Sequence, residues 1–157
     1  EVPRNNGIAT PVGYDFPLIT SEPGLRDPID TAAGTTPSVH YGLDFAGRHG
    51  ERVNAVAAGV VTGVESTGGY GTHIEVRHAN GTHTLYAHLD ASQMHVGDPV
   101  RGGEHIGNIG STGMSTGPHL HLGFDGNGDG DYNDLTVDED GSAGGHDDPR
   151  HLFGWSM

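Results

Sequence analysis

The apolar residues of this chain come in short bursts that alternate with polar ones. Residues 73–78, His-Ile-Glu-Val-Arg-His, alternate at every step, the two-residue period of a half-buried strand. Asn80-Gly81 follows, a dipeptide suited to the two-residue turn of a hairpin, and residues 82–89 read as the returning strand. Residues 53–64 read as two short strands hinged near Gly59. Residues 96–100 and 103–110 set apolar residues and glycines at short intervals, as in a tight β-turn-β corner. No segment sustains the 3.6-residue apolar period of a helix. The pattern predicts a mainly β protein of one domain, with an antiparallel sheet core, long loops and little helix. Residues 1–17 read as an N-terminal arm, 18–124 as the core, 125–146 as an insert and 147–157 as a closing segment.

Composition strengthens that reading. Glycine is the commonest residue, with 28 copies among 157, and each would cost roughly 1 kcal/mol in a helix interior. The chain has no cysteine, so neither a disulfide nor a thiolate metal site is available. The formal net charge is -14 and all seven basic residues are arginine. Such a surface repels nucleic acid and anionic membranes, and no apolar run approaches the ~20 residues of a membrane span. A monomer is the default expectation.

The candidate chemistry lies in the twelve histidines. His119-Leu120-His121 puts two imidazoles on one face of a strand, with the leucine behind them. Two adjacent imidazoles resist joint protonation and suit a metal ion as neutral bases. His40 and Asp44 stand four apart across a glycine, a spacing that lets both reach one ion, and His88 closes an alternating run. Three ligands drawn from His and Asp, with imidazoles left for proton transfer, suit a catalytic zinc rather than a structural one. The chain has no His-Glu-x-x-His, which excludes a helix-borne site with a glutamate base. The other eight histidines have no partner at metal-ligand spacing and are expected on the surface or on strand faces.

The order of these elements is familiar. His40-x-x-x-Asp44, Gly69-Tyr70-Gly71, Leu85-Tyr86-Ala87-His88-Leu89, Gly110-Ser111-Thr112-Gly113 and Ser115-Thr116-Gly117-Pro118-His119-Leu120-His121 together resemble the lysostaphin/LytM-type zinc metalloendopeptidases. The resemblance covers residues 19–124. It implies a narrow groove floored by an antiparallel sheet, with zinc at its bottom held by His40, Asp44 and His121. It implies His88 and His119 as catalytic histidines, and Arg26, Tyr70, Tyr86, Ser115 and Thr116 as groove residues. The implied activity is hydrolysis of peptide bonds in bacterial peptidoglycan, in cross-bridges or stem peptides, by a zinc-activated water assisted by two histidines. The implied setting is extracellular or in the cell envelope, with any signal or pro-segment outside this sequence. Two stretches depart from the family's usual run. Leu122-Gly123 stands where Phe-Glu is frequent, a change expected to act at the sheet edge. Pro23-Gly24-Leu25-Arg26 keeps the glycine and arginine of a Phe-Gly-x-Arg segment and loses its aromatic, which alters one groove wall.

Residues 125–148 carry nine acidic side chains and no arginine. Asp125, Asn127 and Asp129 occupy positions 1, 3 and 5 of an EF-hand-like calcium loop, with glycine at 6, and Asp131 and Asp134 follow. Position 12 is Thr136 rather than glutamate, so the match is partial. Calcium is therefore a candidate second cofactor. Two other functions remain open on the same residues. One is a non-catalytic peptidoglycan-binding or activator module on the same fold. The other is a calcium-dependent structural or adhesive domain.

Overall fold

The computed structural model describes residues 9–12, 19–21, 23–25, 30–31, 34–35, 39–40, 42–113, 115, 117–129, 132, 136–137, 143–144, 147 and 149. For strand residues 21, 24–25, 30–31, 34–35, 39–40, 136–137 and 143–144 it describes the backbone alone. The strands in chain order are β1 (Ile19–Ser21), β2 (Gly24–Leu25), β3 (Asp30–Thr31), β4 (Gly34–Thr35), β5 (Val39–His40), β6 (Gly42–Ala46), β7 (Arg52–Asn54) and β8 (Gly59–Ser66). They continue with β9 (Thr72–His78), β10 (His83–Ser92), β11 (Pro99–Val100), β12 (His105–Ile109), β13 (His119–Asp125), β14 (Thr136–Val137) and β15 (Ala143–Gly144). No α-helix occurs among the described residues, so none is long and apolar enough to cross a membrane.

Among the described residues, nine strands form one open antiparallel sheet in the order β1-β6-β13-β10-β9-β8-β11, with β12 pairing both β10 and β7. Alternation builds its two faces. Leu43 and Phe45 of β6, Ile74 and Val76 of β9, Tyr86 of β10, and Leu120 and Leu122 of β13 share one buried cluster with Val53, Ile106 and Ile109. Each such side chain contributes roughly 1.5–3 kcal/mol by leaving water. The residues between them point to the opposite face, and there the functional groups collect.

Three expectations change in detail. The β9–β10 connection spans four residues, 79–82, of which 79–81 form the tight loop. The His78 N–H donates to the Thr82 carbonyl (2.8 Å) and the Gly81 N–H to the His78 carbonyl (2.9 Å), while Gly81 sits at φ +87°. A type I turn closed by a left-handed glycine fits the strand twist as well as a two-residue turn does. The returning strand also runs past His88 to Ser92. Finally, Leu122 and Gly123 are not at a sheet edge: β13 is paired on both sides, by β6 and β10.

The short strands matter to the site through register. β2 pairs β5, with Gly24 opposite His40. The segment that departs from the resembled pattern, around Gly24 and Leu25, therefore lies beside the backbone of a proposed ligand.

Candidate active site

β13 and β6 place the first pair of groups. In their ladder His121 lies opposite Asp44, and His119 opposite Ala46. His121 and Asp44 are both buried, and His121 Nδ1 lies 3.0 Å from Asp44 Oδ1. His119 Nε2 stands 3.7 Å from the same oxygen. Gly42, two residues before Asp44, lets the His121 ring lean over the backbone, since a Cβ there would meet His121 Cε1 at 2.6 Å.

His88 reaches this face by a different route. Along β10 its parity is that of Thr84 and Tyr86, which point into the core. The ladder to β9 slips between Tyr86, opposite Ile74, and Leu89, opposite Thr72, so β10 carries one extra residue. This bulge turns the chain over. His88 takes φ +61°, unlike every other described non-glycine residue, a conformation that costs a residue with a Cβ about 1–2 kcal/mol.

Three contacts hold His88 there. Its N–H donates to the Tyr70 carbonyl (2.8 Å), and its carbonyl accepts from the Gly110 N–H (3.1 Å). Its ring Nδ1–H donates to the Thr112 carbonyl (2.6 Å). The ring then lies 4.9 Å from that of His119 and 5.8 Å from that of His121, centroid to centroid. Leu89 returns to the core.

The surrounding loops fix the imidazoles' tautomers. Because a carbonyl only accepts, His88 carries its proton on Nδ1 and presents Nε2 as the basic atom. His119 Nδ1 likewise faces the Gly117 carbonyl at 2.9 Å, with Ser115 Oγ at 3.2 Å. Ser115 donates to that same carbonyl (2.7 Å) and accepts from Ser111 (3.0 Å). Burial first, then the His121 and His119 rings, push the His88 imidazole down to about 3, so it is held neutral.

Tyr70 lies beside the cluster, its ring 5.7 Å from that of His121 and 5.6 Å from that of His73. Ser115 sits behind His119, where it braces the ring. Tyr86 is a correction: it is fully buried on the opposite face, so it lines no groove. Its hydroxyl accepts from the Val56 N–H (3.0 Å) and from the Thr84 hydroxyl (2.8 Å), and Thr84 in turn meets His78 Nε2 (2.9 Å). Tyr86 and Leu122 are opposed in register and both even-numbered, the parity of the core face. Arg26, Thr116, Asp131, Asp134 and the His40 side chain lie outside the described residues.

Asp44 and His121 fit a zinc donor set. Two donors bound tetrahedrally at ~2.0–2.2 Å stand ~3.3 Å apart, close to the separation seen here. Among the described residues no three His, Asp or Glu side chains are grouped to hold a metal, the third implied ligand being His40. Among the described residues of the acidic loop, nothing supports calcium. Asp125 Oδ2 meets His83 Nδ1 at 2.9 Å, and Asp125 Oδ1 accepts from the Gly128 N–H at 2.9 Å.

Thr112 escaped the sequence reading as an individual residue. Its hydroxyl donates to the Leu89 carbonyl (2.8 Å) and accepts from the Thr72 N–H (3.0 Å). It thus ties the 110–113 loop to both strands, β10 and β9, at one end of the bulge. The available signal was the pair of glycines around it, Gly110 and Gly113, which permit close backbone approach.

The Peptidase family M23 model matches residues 38–132, more than half of the chain. A DD-carboxypeptidase/endopeptidase of Neisseria meningitidis, Mpg, is 55% identical over 83 residues, covering 53% of this chain and 19% of that protein. The chain spans about a fifth of the length of the curated relatives it matches. Among solved structures, the catalytic domain of the antimicrobial peptidase lysostaphin from Staphylococcus simulans superposes with a TM-score of 0.61 at 33% identity, over 69% of this chain and 79% of that one. A zinc-containing peptidase from Vibrio cholerae gives 0.63 at 30% identity, over 76% and 36%. The antiparallel sheet, the His-x-His strand and the matched span agree: this chain belongs to Peptidase family M23.

Proposed function

We propose that the chain is a zinc-dependent endopeptidase of bacterial peptidoglycan, working outside the cytoplasm on peptide bonds made by D-amino acids in stem-peptide cross-links. The observation that carries this reading is the single face on which Asp44, His121, His119 and His88 converge, with two imidazoles directed by backbone carbonyls. The choice of bond rests on the 55% identity to a DD-carboxypeptidase/endopeptidase.

His40, Asp44 and His121 would hold the metal. Zinc at that position supplies Lewis-acid polarisation of the scissile carbonyl and a water acidified toward a pKa of about 7. The protein's own groups manage the protons. His88 Nε2, left proton-free by the Nδ1–H bond to Thr112, would take the proton from the attacking water and return it to the leaving amine. His119, held at Nδ1 by Gly117 and Ser115, directs Nε2 toward the Asp44 side, where it would orient the reacting groups. Burial keeps water away from the cluster and strengthens each of these interactions.

The test is mass spectrometry of fragments released from purified peptidoglycan by the zinc-loaded protein, on walls with direct cross-links and walls with oligoglycine bridges. New peptide termini from direct cross-links, lost under chelation, are the expected result. Termini within oligoglycine would move the bond assignment. Intact walls throughout, with zinc bound, would instead favour the non-catalytic binding module.

A further inference from the structure

One aromatic from the acidic segment lies on the same sheet face as the site. Tyr132 is 7% exposed, and its hydroxyl donates to Glu75 Oε2 at 3.0 Å. A Cβ built on Gly123 would meet Tyr132 Cδ1 at 3.4 Å and Leu85 Cβ at 3.2 Å. Gly123, Leu85 and Glu75 are directly opposed across β13, β10 and β9. They form the row of the sheet next to the one holding Asp44, His121 and Ala87, two residues or ~7 Å further along the strands. The Tyr132 ring therefore crosses three strands over that row.

Leu85 shows the consequence. It points to the site face rather than into the main core, yet it is only 1% exposed. Two features fix the ring. Gly123 has no side chain to compete for the space, and the Glu75 carboxylate accepts the hydrogen bond from the phenol O–H. Burial, then the Glu75 charge, raises the Tyr132 phenol far above its ordinary value, so it stays a neutral donor.

We propose that Tyr132, braced by Glu75, is a specificity-determining wall that limits how far a bound peptide extends from the reactive row toward Gly123 and Leu85. The site then accepts on that side a peptide that ends, or carries only small side chains, within ~7 Å of the His121 row. This rests on the peptidase reading above and deepens it. The wall is made by side chains outside the metal and histidine set, so it sets selectivity and leaves the proton chemistry alone.

The experiment compares two synthetic cross-linked stem peptides, one ending in a small residue and one extended by two bulky residues at each end. Tyr132→Ala, Tyr132→Phe and Glu75→Gln are assayed beside the wild type for kcat/KM on both, with thermal melts to report folding. The expected result is a rise of about tenfold in the long-to-short ratio for Tyr132→Ala, the scale on which a pocket wall discriminates. Tyr132→Phe and Glu75→Gln release the anchor and move the ratio the same way by a smaller factor. They carry the test if Tyr132→Ala does not fold. An unchanged ratio in the folded variants overturns the proposal. If the wild type cleaves neither peptide, the peptidase reading fails separately. The same ratio is then read from calorimetric Kd values with zinc present, and absence of binding overturns both.

Discussion

β13 and β10 lie side by side and deliver imidazoles to one face, β13 by the plain period of a strand and β10 by breaking it. His119 and His121 share a face because they are two residues apart. His88 would point into the core with Tyr86 if β10 were regular. The bulge at His88 and its φ of +61° send the ring the other way. The regular strand is suited to holding a metal, because neighbouring rungs fix His121 against Asp44 rigidly. The bulge is suited to placing one base at an angle no pleat offers, at a cost in backbone strain that Tyr70, Gly110 and Thr112 offset.

The comparison breaks most completely on the β13–β6 side. Asp44→Ala removes the oxygen that meets His121, and should reduce zinc from about one per chain to almost none, with activity lost. Metal analysis after dialysis, with an assay on cross-linked peptide, checks both. On the β10 side, Thr112→Val keeps the shape but strips the bonds to Leu89 and Thr72. Turnover should fall by about tenfold, the scale of losing an orienting partner, while zinc is retained. Equal losses of zinc and turnover would show that the two strands do not divide the work.

Strain gives a sharper contrast. At His88 glycine relieves the left-handed backbone and alanine does not. His88→Gly should therefore be about 1 kcal/mol more stable than His88→Ala. At His119 the order should reverse, since glycine in a regular strand is worse than alanine by roughly 0.5–1 kcal/mol. Denaturant unfolding of the four metal-free variants reads this directly, and the same order at both sites would refute the bulge account.

The smallest effect concerns His78, a histidine of the neighbouring hairpin that serves the core. Its Nδ1–H donates to the Ala58 carbonyl at 2.8 Å, and burial lowers its pKa below the ordinary 6.5. A depressed histidine favours folding fully above its unfolded value, and that contribution is lost as pH falls below it. Unfolding midpoints measured between about pH 7.5 and 5.5 should drop in the wild type and drop less in His78→Gln.

These contrasts mark what the sequence could reveal. The His-x-His strand was legible because strand period alone decides its face. The pairing of residues 73–78 with the returning strand was legible for the same reason. His88 was legible as chemistry but not as geometry, because the alternation of residue types does not show a one-residue slip in the β9–β10 ladder. Tyr86 was misread because its motif neighbours His88, and the same slip separates their faces. Tyr132 gave no signal: a lone aromatic in an acidic run shows its role only once Gly123 and Glu75 are brought beneath it.

The most direct measurement pairs His88→Ala with His121→Ala and reads zinc content and turnover on the same samples. The account predicts that His88→Ala keeps its zinc and loses turnover by about 10²–10⁴-fold, while His121→Ala loses both. Zinc lost from His88→Ala, or turnover kept by it, would contradict the division of labour between the two strands.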